Sequence, residues 1–239
     1  MIRNYFKTAW RNLVKNRFYT IINISGLTIG LAVGILILLW VQDEFSYDRF
    51  NKNEANIYKL ENMVGTGNSR QLWTVTAAPI GALARKEVPG VEDAVRIAYN
   101  GSYGLYRYKD KLFNEDDCYY TDPSLFTAFD FKMIKGDREN PYPDINSIVV
   151  TETIARKYFG NEEPIGKRLI NRGGSYAPVY EVTGVFKEFP SNSHLIINHL
   201  ASYASLGKQL RYYGDTTNAT ETAWGWYDFY TYPAIETRN

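Results

Sequence analysis

A short stretch over residues 159–168, Phe-Gly-Asn-Glu-Glu-Pro-Ile-Gly-Lys-Arg, has the residue types of a phosphate-binding loop. Such a loop needs a glycine, four further residues and then Gly-Lys followed by Ser or Thr, because glycine amides surround the phosphate and the hydroxyl binds magnesium. Here five residues separate Gly160 from Gly166, Arg168 replaces the hydroxyl, and two glutamates lie between the glycines. We therefore interpret the stretch as a turn in which Gly160 ends a helix and Pro164 prevents its continuation.

The other candidate catalytic residues are two histidines, a single cysteine and adjacent acidic residues. His194 and His199 are five positions apart, so a strand would point them to opposite faces and a helix would separate them by about 140°. Cys118 follows Asp116 and Asp117, whose negative charge raises the pKa of a thiol and disfavours a nucleophile. Adjacent carboxylates are typical of a solvated turn rather than of a glycosidase pair. We predict no catalytic residue, no metal site and no cofactor, and a chain that is not an enzyme.

Charge is distributed unevenly along the 239-residue chain. Residues 1–42 contain five basic and no acidic side chains, which leaves −4 for the remainder of a chain whose formal net charge is +1. Nucleic-acid binding needs basic charge on the folded surface, so this acidic body excludes a nucleic-acid partner.

A run without charged side chains extends over residues 18–42. As a helix its 25 residues would measure about 37 Å, against a bilayer hydrocarbon core of about 30 Å. Basic residues precede the run and acidic residues follow it, so we expect an N-terminus in the cytoplasm and residues 43–239 outside it. The run is too long for a cleaved signal peptide, and no small-residue cleavage pattern follows it. The sequence therefore predicts an uncleaved transmembrane helix over 18–42.

Two patterns with a period of four residues lie within this leader. Residues 1–17 are predicted to form a cytoplasmic amphipathic helix whose basic stripe faces an anionic membrane surface, the stripe being Arg3, Lys7, Arg11 and Lys15. The alternative is that these charges serve only to set the topology. Inside the transmembrane run, three glycines would form one helix face that allows close approach of another helix: Gly26, Gly30 and Gly34.

The remainder, 43–239, shows strand-like runs mixed with short helices and a hairpin, which indicates an α+β domain. Strands are predicted over 57–64, 147–150, 179–186 and 228–236, and a hairpin over 103–113. Helices are predicted over 79–88, from Pro123 with Asp122 as its cap, over 152–159 with Thr151 as its cap, and over 206–213.

Six segments in order carry a resemblance to a known family. They are FSYDRFNKNEANIYKLE (45–61), APIGALARKEVPGVEDAVRI (78–97), TDPSLFTAFDFKMIKGD (121–137), NSIVVTETIARKYFGNEEPIGKRL (146–169), YEVTGVFKEFPSNSHL (180–195) and WYDFYTYPAIE (226–236). With the basic leader and the apolar run, the chain resembles the N-terminal part of a MacB/FtsX-like ABC transporter permease subunit that lacks a fused ATPase. The opening stretch resembles that family's Tyr-Phe-Gly-x-x-x-Pro-x-Gly-Lys turn.

The resemblance implies a MacB-like periplasmic core domain over 43–239, with a porter-like subdomain and a second, inserted subdomain. It implies a permease component of an export or mechanotransmission complex in the bacterial inner membrane. ATP hydrolysis by a separate cytoplasmic ATPase subunit would move the periplasmic domain. The expected partners are this ATPase, a second copy or a related permease subunit, the lipid bilayer, and a periplasmic or outer-membrane protein.

Family members have four membrane helices and this sequence shows one, so we expect a fragment whose core domain is incomplete at its C-terminus. The final predicted strand would then leave an exposed apolar surface beside an open sheet edge. The alternative function is an extracytoplasmic sensor domain of a membrane-anchored signalling receptor, which has the same predicted topology.

Overall fold

The computed structural model describes residues 2–47, 49, 56–99, 104–129, 131–190 and 192–235. Parts of the predictions lie outside these residues. They are Met1 of the predicted leader helix, Asp48, 50–55, Asp130 and Ser191 in the segments that carry the resemblance, the first residue of the hairpin, and the last residue of the final strand. The chain separates into two compact units, Met1–Tyr47 and Asp48–Asn239.

The first unit consists of two helices, α1 (Ile2–Lys15) and α2 (Arg17–Glu44). They meet at Asn16, whose φ of −106° and ψ of 47° depart from helical geometry. The Thr20 hydroxyl donates to the Leu13 carbonyl across this junction, at 3.0 Å. The predicted helix over 18–42 is present in α2, which is 28 residues long and has a mean hydropathy of 2.4 in its most apolar window. None of its residues is buried, so α2 is long and apolar enough to cross a membrane.

The second unit contains twelve strands and five helices among its described residues. The strands are β1 (Asn62–Val64), β2 (Gln71–Trp73), β3 (Val91–Tyr99), β4 (Gly104–Tyr108), β5 (Lys111–Glu115), β6 (Cys118–Thr121), β7 (Met133–Lys135), β8 (Ser147–Thr151), β9 (Arg168–Asn171), β10 (Val179–Phe186), β11 (His199–Ser202) and β12 (Phe229–Ile235). The helices are α3 (Ile80–Glu87), α4 (Leu125–Ala128), α5 (Glu152–Phe159), α6 (Tyr203–Tyr212) and α7 (Ala219–Thr222).

Ten of the strands form one mixed sheet in the order β12-β3-β6-β11-β8-β10-β9-β4-β5, with β7 also paired to β10. The pairs β6–β11 and β8–β10 are parallel and the other pairs are antiparallel. Strands β1 and β2 form a separate hairpin. The predicted α+β class, with an N-terminal apolar helix before a sheet-rich domain, is therefore confirmed. The porter-like and inserted subdomains that the resemblance implies would both lie in this second compact unit.

The central strands are buried on both sides of the sheet. In β8, Ile148 and Val150 point into one hydrophobic cluster and Val149 into the other, as the two-residue period of a strand requires. Helices α5 and α6 supply side chains to the first cluster, including Ile154, and α4 supplies Phe126 to the second. The sheet therefore has a hydrophobic core on each face.

Several predicted elements match the structure closely. Strand β10 has the predicted bounds, and α3 and α6 agree with the predicted helices to within three residues. Thr151 caps α5 as predicted, because its hydroxyl accepts a hydrogen bond from the Ile154 amide. The same helix ends at Gly160, whose φ of +62° lies in the region that glycine tolerates best. The predicted hairpin is β4–β5.

The predicted helix cap at Asp122 is wrong. The residue before α4 is Ser124, and the Asp122 carboxylate accepts hydrogen bonds from Arg96 instead. A buried guanidinium needs a carboxylate more strongly than the four-residue helix α4 needs a cap, because an unpaired buried charge costs several kcal/mol, about 3–5.

The structure corrects two predictions. Residues 57–64 do not form a single strand, and the last strand, β12, does not have an open outer edge. Only Asn62–Val64 is a strand of the hairpin, while the residues before it run along β12. The Tyr58 amide donates to the Pro233 carbonyl at 3.1 Å, and the Leu60 amide donates to the Thr231 carbonyl at 2.9 Å. The outer edge of β12 is therefore occupied, and the expectation of an open, association-prone edge there is wrong.

Candidate functional site

The turn that resembles a phosphate-binding loop has its backbone groups and charges already occupied. The Gly166 amide donates to the Val182 carbonyl at 2.8 Å, and the Val182 amide donates to the Lys167 carbonyl at 2.8 Å. The Glu162 carboxylate accepts from Lys109 Nζ at 2.7 Å and from Lys167 Nζ at 2.7 Å. These hydrogen bonds, led by that of Lys109, lower the pKa of Glu162 to about 2. The turn joins α5 to the sheet, and its one lysine, Lys167, binds the carboxylate of Glu162 in the same turn rather than a ligand.

The two histidines lie in different environments. His194 is exposed in the segment between β10 and β11, whereas His199 is fully buried in β11. No group of three or more His, Cys, Asp and Glu side chains within the described ranges is arranged to hold a metal ion.

His199 belongs instead to a buried cluster of aromatic and sulfur side chains. Its Nε2 lies 2.9 Å from the Tyr158 hydroxyl and its Nδ1 lies 3.5 Å from Cys118 Sγ. Its ring stacks on that of Tyr106, with centroids 4.7 Å apart. Burial lowers the pKa of His199 to about 3, so the imidazole is neutral.

Burial also raises the pKa of Cys118 to about 12, with smaller contributions from nearby acidic groups that include Asp117 and Asp116. The thiol is 3 % exposed, so it is protonated and closed to solvent. The pKa direction predicted from the two neighbouring aspartates is correct, although burial is the larger cause. No pattern in the sequence indicates that Cys118 and His199 pair in adjacent parallel strands.

Arg96 in β3 forms the other buried polar cluster. Its Nε and Nη2 donate to the two carboxylate oxygens of Asp122, both at 2.9 Å. Its Nη1 donates to Glu221 Oε1 at 2.8 Å, and its guanidinium lies 3.8 Å from the ring centroid of Tyr203. A Cβ added to Gly81 would lie 2.6 Å from Arg96 Cγ, so α3 also packs closely on the arginine stem.

Arg96 therefore joins β3 to the segment before α4, to α6, to α7 and to α3. Sequence reasoning missed this cluster, although one signal was present. Arg96 stands between Val95 and Ile97 in the middle of an apolar strand, where a charged residue requires a partner. Its role is structural, because each of its three nitrogen atoms is already hydrogen-bonded to a carboxylate.

The predicted membrane-contact residues lie on the helices of the first unit. The basic side chains of α1 are exposed, as are the apolar Phe6 and Trp10, which are 75 % and 70 % exposed. On α2, no atom lies within 4 Å of the position that a Cβ would occupy at each of the three glycines Gly26, Gly30 and Gly34. Within the described residues, this glycine face has no helix packed against it, and its contact role remains a prediction.

One comparison with known proteins identifies a family for this chain. The sequence model of the MacB-like periplasmic core domain matches residues 20–223. No curated protein matches the sequence significantly.

Three solved structures share the fold. A domain of a putative permease protein from Porphyromonas gingivalis is 19% identical, with a TM-score of 0.61, and the match covers 77% of this chain and 76% of that one. The periplasmic region of MacB from Actinobacillus actinomycetemcomitans is 17% identical, with a TM-score of 0.52 and coverages of 77% and 76%. The extracellular domain of the noncanonic ABC-type transporter YknZ from Gram-positive bacteria is 16% identical, with a TM-score of 0.50 and coverages of 76% and 84%.

We expect Arg96→Met to lower the free energy of unfolding by about 3–5 kcal/mol, because it leaves the buried Asp122 carboxylate without its cation. The matched control is Arg85→Met, whose ion pair with Asp93 is partly exposed and contributes about 0–1 kcal/mol. Chemical denaturation of the full chain in detergent measures both. Equal decreases in the free energy of unfolding of the two variants would contradict the role assigned to Arg96.

We expect His199 to make the protein less stable in acid. The unfolded chain binds a proton near pH 6.5, whereas the folded chain does so only near pH 3, so stability is complete above pH 6.5 and falls as the pH drops towards 3. The slope due to this residue is about 1.4 kcal/mol per pH unit within that window. Unfolding free energies between pH 7 and pH 4 should depend less steeply on pH in His199→Gln than in the wild type. His194→Gln, which retains the buried imidazole, should keep the wild-type slope; the idea fails if both variants behave alike.

Proposed function

The chain belongs to the family of the MacB-like periplasmic core domain, and from this premise we propose that it is a permease component of an ABC-type export or mechanotransmission complex. ATP hydrolysis by a separate cytoplasmic ATPase subunit is coupled in this complex to movement of the periplasmic domain. The observation that carries the proposal is the extent of the family match, which begins within α2 and continues through the sheet to residue 223. The apolar helix and the sheet domain are thus parts of one family unit.

The proposed work of the chain is mechanical and not enzymatic. The ionisable groups with the best-defined partners, His199, Cys118, Arg96 and Glu162, are each engaged in packing, in ion pairs or in hydrogen bonds. In this proposal ATP hydrolysis is carried out by the ATPase partner, and the chain supplies a membrane anchor and a periplasmic domain that moves.

We infer that α2 anchors the chain in the bacterial inner membrane, with the N-terminus in the cytoplasm and residues 43–239 in the periplasm. The five basic residues before the apolar run support this orientation, because positive flanks stay on the cytoplasmic side. The hydrophobicity and length of α2 support the anchor itself.

We also propose one contact for each helix of the first unit. In α1, the basic stripe binds anionic headgroups while Phe6 and Trp10 enter the lipid interface. In α2, the glycine face packs against a membrane helix of a second copy or of a related permease subunit.

A thiol-labelling experiment tests the orientation. A cysteine at Asn68, which is exposed beside the β1–β2 turn, should react with an impermeant thiol reagent in intact spheroplasts, while one at Asn4 should react only after lysis. Asn68 is preferred to Gly65, where a Cβ would lie 2.5 Å from the Ser69 carbonyl oxygen. The buried Cys118 should contribute little background. Labelling of Asn4→Cys alone in intact spheroplasts would reverse the proposed topology.

Co-purification tests the proposed partnership. The full chain should co-purify with an ABC ATPase subunit from the same organism and should stimulate ATP hydrolysis by that subunit in lipid nanodiscs. Substitution of the ATPase's own phosphate-loop lysine should abolish the hydrolysis while preserving the association. A chain that neither binds nor stimulates the subunit would contradict the proposal and favour a sensor function.

A further inference from the structure

At the end of the sheet one face is uncovered on β9, β4, β5 and the first half of β10, whereas the second half of β10 is buried on both faces. Side chains on the other face of these strands are buried in a hydrophobic core, among them Tyr106, Leu169 and Tyr180. On the uncovered face the side chains are half-buried or exposed. This surface, called here the open face, is made by Arg107, Leu112, Arg168, Ile170, Arg172 and Val179.

The register of the strands aligns four of these residues in a row. Val179 pairs with Ile170, Ile170 pairs with Arg107, and Arg107 pairs with Leu112. Directly opposite residues of antiparallel strands point to the same face, so the row crosses all four strands. Leu112 and Val179 at its two ends are 59 % and 46 % exposed. An aliphatic surface with an arginine at its centre is thus presented to solvent.

The open face also has an excess of positive charge. Arg168 Nε lies 3.9 Å from Glu181 Oε2, which is beyond hydrogen-bond distance, and its side chain is 74 % exposed. Arg107 and Arg172 make no ion pair with any residue that the structure describes. Three arginines therefore face one acidic residue of these strands, Glu181, and Asp144 borders the same surface beside Arg168 and Val179. Arginine is enriched at protein interfaces, whereas lysine and glutamate are depleted there and are common on the rest of a protein surface.

We propose that the open face docks an acidic, partly aliphatic segment of another extracytoplasmic protein. Carboxylates of that segment pair with the guanidinium groups, which suit carboxylates through their forked donors, and its aliphatic side chains cover Leu112, Ile170 and Val179. A second copy of this chain does not fit, because a symmetric contact would bring the arginines of both copies together. This inference rests on the proposed function to the extent that the face must lie outside the cytoplasm.

The experiment uses a photo-crosslinking amino acid in place of Leu112 in the full chain, expressed in its own cells. Leu112 is exposed enough to tolerate the change. The same amino acid at Val88, which is 50 % exposed in a different part of the unit, measures the background. Crosslinked partners and the crosslinked peptides are identified by mass spectrometry.

We expect the Leu112 probe, and not the Val88 probe, to give an adduct with another protein at a segment of net negative charge. Arg107→Glu should reduce the adduct at least tenfold, and Lys86→Glu, an equal charge change on α3, should leave it unchanged. Replacing a carboxylate of the mapped segment by arginine should restore the adduct with Arg107→Glu.

An adduct with a second copy, an adduct with lipid, no adduct above background, or an adduct insensitive to Arg107→Glu would each overturn the proposal. Co-purification of Arg107→Glu with the ATPase subunit is measured in parallel, so that failure of the docking surface is distinguished from failure of the transport function.

Discussion

The buried guanidinium of Arg96 holds together parts of the chain that are far apart in the sequence. Removing a charged group from water costs several kcal/mol, and only well-placed partners offset that cost. Arg96 has them: both oxygens of Asp122, one oxygen of Glu221 and the ring of Tyr203. Because Glu221 is 125 positions away, the position of α7 depends on β3. The same arginine stem sets how closely α3 approaches, through Gly81. Much of the domain around β3 is therefore organised by one cation.

The sheet divides into two regions with different surroundings. In its central strands both faces are buried, so side chains such as Val149 and Val150 are apolar in succession. Towards β5 one face loses its cover, and buried residues such as Tyr106 and Leu169 alternate there with half-buried or exposed residues such as Arg107. The first region gives the domain its stability. The second gives it a surface on which another protein could act without disturbing the core.

Single helices and strands were predictable because each has its own pattern in the local sequence. Contacts between residues far apart in the sequence have no such pattern and were not predictable. Thr151 followed by a glutamate and a helical pattern predicts a cap, and the apolar run of β10 predicts a strand. Asp122 before Pro123 carried the same cap signal, yet it pairs with Arg96 because a partner 26 positions away has the stronger demand. His199 was rightly separated from His194, but no spacing rule indicates that Tyr158 and Cys118 would enclose it. The family was identified from the order of six weak segments, and the open face emerged only when the strand register was known.

The pairing of residues 57–60 with β12 has a mechanical consequence. These residues follow α2 in the chain, and their amides at Tyr58 and Leu60 bond to carbonyls of β12, which in turn pairs along its length with β3. Hydrogen bonds between antiparallel strands run perpendicular to the strands. A tension directed along residues 57–60 therefore loads both bonds in shear at the same time, whereas a sideways pull would break them one after the other. Shear spreads the load over β12 and β3, so this edge suits a domain that is repeatedly pulled and must return to its starting form.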